Sequence, residues 1–550
     1  MFFTPRLRRW LQEGSLGALL LLAAWPIHLT LENADHQIAN LLCFFAIALG
    51  SLLLFSWLLR TFVKSWWKRL AVVFVLVCVA FQIGKQLEVR GFSGEMLPQV
   101  RWKSARAKQL VAIEPASPPT AVPSTGSTAV STTGDVNDPA SKASHEETFN
   151  QFMGNHRDGR VDGPSIQSNW SANPPEIIWQ TAVGAGWSGF AAADGLAITQ
   201  EQHESGEAVI ALNLLTGRLA WRSTTPRKHY HPLGGAGPRA TPSVEREQVL
   251  AQSSTGIVTS MELRTGKINW SVDLLLKAGI DQSSAEAAVS WGRSGSPLVV
   301  GDLVVVPLGA GLNRTSPTDA ASLIALDLVT GEERWRAGES QISYASPALM
   351  TLGDREQIVV VNEADVTGHD PQTGVVLWKT DWPGVSNGGA NVSQATRLDS
   401  THLLLSKGYG GGSKLLEFQA AFTFESEIRT VWNDVSLMKS KFMSPVVLGK
   451  YVYGLSDGIL ECIRWEDGER MWKDSRQGRL GHGQLLLIGD QLLCSSEDGR
   501  LVLTQATPKK PTSYESLSLL EEITWNPLAI VGDLVIVRNA EKAVCVRVGR

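Results

Sequence analysis

Cysteine is scarce in this sequence: five residues in 550, with no Cys-x-x-Cys and no adjacent pair. That usage points to neither a zinc knuckle nor a disulfide framework. Cys43 and Cys78 fall in apolar runs, while Cys462, Cys494 and Cys545 stand singly in strand-like segments, the setting of buried, inert thiols. Neither sign of charge is in excess: 50 Lys+Arg against 54 Asp+Glu leave a net charge of −4. Nucleic-acid binding leaves a basic footprint, so no such partner is expected. Clustered carboxylates are also missing, and with them the convergent oxygens of a hard-cation site. His229 and His231 flank Tyr230, and His482 lies between two glycines, but no fixed ligand spacing links them, so no metal is expected. Tyr409-Gly410-Gly411-Gly412 lacks the strand-to-helix setting of a phosphate loop and reads as a flexible turn.

Long apolar runs are confined to the N-terminus. Residues 38–59 form 22 residues without a charge, long enough to cross a bilayer. Residues 14–31 are also uncharged, although Pro26 and His28 interrupt them, and 70–84 form a shorter run behind Trp66 and Trp67. Arg6, Arg8 and Arg9 precede the first run, and Arg60, Lys64, Lys68 and Arg69 separate the second from the third. Between the first and second stand Glu32, Asp35 and His36, with no Lys or Arg. The positive-inside rule then predicts a multi-pass anchor (residues 1–90) of three transmembrane helices in the inner (cytoplasmic) membrane, with everything beyond residue 85 extracytoplasmic. A cleaved signal followed by two spans is the alternative, and it leaves the large domain on the same side. Residues 91–146 follow, dominated from 111 to 145 by Pro, Ser, Thr and Ala. A stretch with so little apolar surface cannot offset its ordering entropy, which predicts a disordered spacer holding the next domain tens of ångströms from the bilayer.

From 147 to 550 one phrase recurs: Thr or Asp, Gly, three residues, Trp. It occurs at Thr216-Gly217…Trp221, Thr265-Gly266…Trp270, Thr330-Gly331…Trp335, Thr373-Gly374…Trp378 and Asp467-Gly468…Trp472. A repeat of about 40–50 residues is the signature of a repeat architecture. Gly/Asp hairpin turns lie between apolar strands at Asp194-Gly195, Gly301-Asp302, Gly489-Asp490 and Gly532-Asp533. Four short antiparallel strands per unit cannot bury both faces of their sheet alone, whereas packing sheets radially does so: a β-propeller. Counting last strands gives Trp179, Trp221, Trp270, Trp335, Trp378, Trp432 and Trp472, with a degenerate unit near 517–522. Trp179 lacks upstream strands of its own, and 526–548 lack a last strand. The segment around Trp179 should therefore close the C-terminal blade, giving eight blades, or seven if 411–432 belong elsewhere. The tryptophans are expected to be wedges between blades.

The stretch from Ala325 to Trp335 (ALDLVTGEERW) resembles the tryptophan-docking repeat of quinoprotein (PQQ-dependent) alcohol dehydrogenases, shared by PQQ-like propellers including those of the BamB type. Phe149 to Gly159 resembles the opening of bacterial PQQ-like repeat proteins. The resemblance covers about residues 150–550 and implies the fold. For activity it implies PQQ held with Ca²⁺ by a Glu, an Asn and an Asp base, beneath a ring of adjacent disulfide-bonded cysteines. This chain has no such cysteine pair, and about 47 residues per blade leave little room for cofactor loops.

Small-residue–Pro steps open many blades: Ala240-Thr241-Pro242, Gly295-Ser296-Pro297, Ala345-Ser346-Pro347, Met443-Ser444-Pro445 and Trp525-Asn526-Pro527. First strands line a propeller's channel, so the residues before these steps should ring one mouth: Arg239, Trp291, Tyr344, Lys441 and Trp525, with Trp187, Asn391 and His482 by analogy of position. Aromatics, two cations and amides suit an anionic or planar ligand, or a peptide. The expectation is a non-enzymatic, extracytoplasmic binding or scaffold propeller with a protein or peptide partner and no cofactor. The alternative is a PQQ-dependent dehydrogenase.

Overall fold

The computed structural model describes residues 15–24, 36–94, 98–102, 148–163, 166–310, 321–421 and 427–549. The apolar N-terminus gives helices α1 (Ser15–Ala24), α2 (His36–Phe62) and α3 (Trp66–Gln86). Two stretches, Asn40–Phe62 and Trp66–Gln86, are long and apolar enough to span a bilayer; the described part of α1 is ten residues long. Two candidate spans are therefore found among the described residues; of the first run, 14–31, only residues 15–24 are described. α1 and α2 approach closely at two glycines: a Cβ on Gly17 would come 2.9 Å from the Gly50 carbonyl oxygen. The basic turn between α2 and α3 is closed by Arg69 Nε, which donates to the Val63 carbonyl at 2.6 Å. No residue of α3 is buried.

α3 runs directly into a hairpin of β1 (Leu87–Phe92) and β2 (Pro98–Trp102), paired antiparallel with a bulge between Val89 and Gly91. Spacer composition alone placed disorder from residue 91, but 91–94 and 98–102 are ordered; the apolar Phe92, Val100 and Trp102 lie before the Pro/Ser/Thr-rich stretch begins. Residues 111–145, the core of the expected spacer, lie outside the described residues.

Beyond them stand eight blade sheets, each with four antiparallel strands; that of blade 7 gains a fifth, parallel strand from Arg160–Val161. Blade 1 spans Ala191–Thr225, blade 2 Ser243–Asp273, blade 3 Leu298–Ala337 and blade 4 Ala348–Asp381. Blade 5 spans Thr396–Asp434, blade 6 Val446–Lys473 and blade 7 Gln484–Ser518. Blade 8 takes its three inner strands from Ala529–Arg547 and its outer strand from Glu176–Ala182, paired antiparallel with Lys542–Arg547. The ring therefore closes N-terminus to C-terminus, as Trp179 implied. Residues 412–417 and 429–434 are the outer strands of blade 5, which excludes the seven-blade alternative. Cys462, Cys494 and Cys545 are buried, and burial raises all three thiols, Cys462 and Cys545 to about 12.

Blade 3's Thr-Gly turn explains the recurring phrase. Asp327 Oδ1 accepts from the backbone N–H of Val329 and Thr330, both at 2.9 Å, the side-chain turn chemistry Asp favours. Gly331 then adopts φ 73°, which a Cβ disfavours, and faces the Trp270 ring of blade 2: a Cβ there would lie 2.6 Å from Cδ2. Trp270 Nε1 donates to the Leu328 carbonyl of the same turn at 3.0 Å. Five tryptophans, Trp179, Trp221, Trp270, Trp335 and Trp432, dock in this way onto the glycine of the next blade's turn. Trp179 and Trp221 donate equivalently to Leu214 and Leu263, both at 2.8 Å, and Trp432 to Trp465. A β-bulge beside the tryptophan recurs in every blade that has one, as where Ala325 pairs with Trp335 but Leu326 with Glu333. Bulges re-aim a side chain; blade 7, which has no outer-strand tryptophan, shows none there.

The exceptions follow the sequence. Blade 5 lacks the Thr-Gly turn, and Trp378 of blade 4 instead bonds Gln357 of its own sheet and meets the Phe418 ring edge-on at 5.0 Å. Trp335 is buried against Gly374, with no partner for Nε1.

Candidate functional site at the channel mouth

The small-residue–Pro steps lie where the first strands converge on the axis, and their hydroxyls link one blade to the next. Gly189 N–H donates to Thr241 Oγ1 (3.1 Å), Thr241 N–H to Ser296 Oγ (2.9 Å), Ser296 N–H to Ser346 Oγ (2.9 Å) and Gln394 N–H to Ser444 Oγ (2.9 Å). Asn526 Nδ2 joins blade 8 to blade 1 through the carbonyls of Gly186 (3.0 Å) and Ser188 (2.9 Å). These steps therefore hold the ring shut as well as setting strand starts.

One end of the channel is stoppered by the segment 148–161. Phe149 bridges to Ala192 of blade 1, Asn150 accepts from Val244 of blade 2, and Arg160-Val161 pair in parallel with Leu487-Ile488 of blade 7. Arg157 is buried on the axis. Its guanidinium donates to the carbonyls of Ser296 (3.1 Å), Pro347 (2.8 Å) and Pro297, and to Ser243 Oγ (3.2 Å), while its own carbonyl accepts from Gln394 Nε2 at 3.0 Å. Desolvation lowers its pKa to about 9, still charged at neutral pH.

The other end opens into a cavity of about 290 Å³ above Phe152 of that stopper. Trp187, Arg239, Trp291, Tyr344, Lys441 and Trp525 line it together. Trp291 stacks on Tyr344 with centroids 5.0 Å apart, and Trp525 contacts Trp187 at 4.8 Å and Phe442 at 5.0 Å. Lys441 Nζ sits 4.8 Å over the Tyr409 ring and 5.5 Å from that of Phe442. Arg239 donates to the carbonyls of Gly237 (3.0 Å) and Gly234 and makes no carboxylate ion pair among the described residues. Burial lowers its pKa to about 10. Burial first, then the charges of Arg239 and His231, lower His229 to about 4; burial raises the Tyr344 phenol to about 12. The wall is thus apolar and aromatic, with fixed positive charge at two points.

Two expected residues stand apart from the cavity wall. Asn391 is buried, and its Nδ2 donates to the carbonyls of Asn362 (2.9 Å), Trp382 (3.0 Å) and Glu363 (3.1 Å), fastening blade 4. His482 lies beneath the rim with its ring edge-on to Phe442 at 5.6 Å. Three contributors were not foreseen: Tyr409, from the turn read as merely flexible; Phe442, which follows Lys441; and Glu497. Glu497 Oε1 accepts from Trp525 Nε1 at 3.1 Å and Oε2 from the His482 N–H at 2.9 Å. No sequence phrase marks it. Ser93 and Gly94, from the hairpin that follows α3, also form part of the wall.

The quinone suggested by the repeat meets a mixed fit. Two cations and stacked aromatics suit a planar carboxylate-bearing ring, but the Glu497 carboxylate at the rim is taken up by Trp525 and the His482 N–H, and no group of three or more His, Cys, Asp or Glu gathers around a metal-sized site among the described residues. The three propeller cysteines sit on strands of three different blades and are free thiols. The donor set does not fit quinone plus Ca²⁺.

Comparison with known proteins agrees with the fold. The family model described as outer membrane protein assembly factor BamB matches residues 168–289 and 282–474. The outer membrane protein assembly factor BamB of Yersinia pestis is 21% identical over 301 residues, 53% of this chain and 65% of that protein, so the chain spans just under two thirds of that relative's length. Among solved structures, BamB from Moraxella catarrhalis aligns at 16% identity over 68% of this chain and 97% of that one, with a TM-score of 0.47. A europium-containing methanol dehydrogenase aligns at 12% identity over 70% and 89%, with a TM-score of 0.52. At such identities the structural likeness establishes the propeller fold alone.

Proposed function

This chain belongs to the family of the outer membrane protein assembly factor BamB, and from that premise we propose that it is a membrane-anchored, extracytoplasmic propeller that binds a protein or peptide partner without catalysing a reaction. The observation that carries the reading is the mouth: a stoppered channel whose open end offers aromatic faces and the cations Arg239 and Lys441, with the Glu497 carboxylate held at its rim. Such a surface grips the backbone and side chains of an extended segment, and its positive charge selects against cationic ones. No cofactor is part of the proposal.

The anchor is read as α2 and α3 crossing the inner membrane as a hairpin. Arg60, Lys64, Lys68 and Arg69 cluster at the connection between them, which favours that turn in the cytoplasm and the chain beyond Gln86 outside it. The Yersinia pestis relative, an outer membrane protein assembly factor, supports a protein partner outside the cytoplasm.

Two measurements on the full chain in detergent test this. Equilibration with PQQ and Ca²⁺ should leave no quinone absorbance on the protein; stoichiometric quinone with alcohol-dependent dye reduction would replace the reading with the dehydrogenase. Cross-linking in cells should recover a partner with wild type and lose it with Arg239→Ala, Lys441→Met; equal recovery would move the binding surface away from the mouth.

A further inference from the structure

The mouth already holds a piece of peptide. Gly94, at the tip of the hairpin that leaves α3, is buried in it. Its N–H donates to Glu497 Oε1 at 2.6 Å, and its carbonyl accepts from Lys441 Nζ. Both polar groups of one peptide residue are therefore taken by charged side chains of the neighbouring blades 6 and 7, the stronger class of hydrogen bond. Side-chain space at this residue is absent: a Cβ on Gly94 would drive into the His482 ring, reaching 2.7 Å from Cγ and 3.0 Å from Cβ. Lys441 is held over Tyr409 and Phe442, and Glu497 by Trp525 and the His482 backbone, so donor and acceptor are fixed before the peptide arrives. Beside the tip about 290 Å³ of aromatic-walled space remains for flanking side chains.

We propose that the mouth is a receptor for a glycine-bearing peptide turn, and that the Ser93-Gly94 tip is its resident ligand in cis, which a partner must displace. This rests on the peptide-binding reading above and deepens it by naming the recognised element. It also sets orientation. Gly94 follows Gln86 by eight residues (94 − 86), so the mouth cannot lie more than about 30 Å from the end of α3. The propeller is held mouth-first toward the membrane, and the spacer does not separate the mouth from it. Tethering gives the tip an effective concentration on the order of millimolar, so a partner of comparable intrinsic affinity competes poorly until the tip is withdrawn.

The test uses the full chain in detergent and a fluorescein-labelled synthetic peptide of residues 87–102, followed by anisotropy. Gly94→Val prevents the cis tip from seating without touching the propeller, whose thermal unfolding should stay at the wild-type temperature. This variant is expected to bind the peptide at least tenfold more tightly than wild type. Adding Lys441→Met to Gly94→Val should weaken that binding at least tenfold, since it removes the charged donor to the peptide carbonyl. If wild type and Gly94→Val bind equally and both lose binding with Lys441→Met, cis occupancy is refuted while the peptide-binding mouth stands. If neither shows Lys441-dependent binding, the cis ligand and the peptide-binding mouth fall together.

Discussion

Gly331→Ala tests whether the recurring glycine serves its turn or its neighbour's tryptophan. Two costs apply at this position. A left-handed φ of 73° disfavours any Cβ by about 1–2 kcal/mol. The new methyl would also stand 2.6 Å from Trp270 Cδ2, so the indole must move. Overpacking of that kind costs about 1–3 kcal/mol, and loosening the bond from Trp270 Nε1 to the Leu328 carbonyl adds roughly 1 kcal/mol. The sum is about 3–6 kcal/mol. Gly301 in the same blade supplies the control: its φ is 60°, but nothing lies within 4 Å of an added Cβ. Gly301→Ala therefore carries only the backbone cost, partly offset by the stiffer unfolded chain, and should cost about 1 kcal/mol or less. Thermal unfolding of the full chain in detergent, followed by tryptophan fluorescence, should place Gly331→Ala several degrees below Gly301→Ala. Equal shifts would show that the glycine is selected by turn geometry alone and that docking contributes nothing.

Other perturbations probe the same frame. Trp270→Phe strands the Leu328 carbonyl, whereas Trp335→Phe removes an Nε1 that has no partner, so the first should destabilise by about 1 kcal/mol more in paired denaturant titrations. Arg157→Met empties the axis of the charge that satisfies carbonyls of Ser296, Pro297 and Pro347; a loss of about 3–5 kcal/mol is expected, together with faster proteolysis near residue 157. His229 is held neutral down to about pH 4 in the fold against 6.5 ordinarily, so below pH 6.5 only the unfolded chain takes up its proton. Stability should then fall between pH 6.5 and 4, by up to about 3 kcal/mol, and His229→Gln should flatten that limb of the Tm–pH curve; an unchanged slope would place the acid sensitivity elsewhere.

The fold was legible because its signals are local. The Thr-Gly turn, its Asp or Asn brace and the tryptophan all lie within about ten residues in sequence, and each repeats. Closure was legible by elimination, since Trp179 had no strands and residues 526–548 lacked one. The bulge beside each tryptophan was not visible, because it appears only as a register shift between strands. Of the three expected spans, two are long and apolar enough among the described residues, and the rest of the first run lies outside them.

The mouth was half legible, and the division has a physical origin. Arg239, Trp291, Tyr344, Lys441 and Trp525 were found because each precedes a repeated step, so the repeat itself supplies their place on the axis. Asn391 occupies the equivalent register, yet its amide is spent on three carbonyls of blade 4. Register decides which residues approach the axis; local carbonyl supply decides which of them are left to face it. Glu497 and Gly94 belong to no repeat. Glu497 comes from a loop in blade 7, and Gly94 from a hairpin 403 positions earlier in the chain. Their pairing is set by tertiary placement, which repeat arithmetic cannot encode, and the residues that distinguish this propeller from a generic one lie where its periodicity breaks.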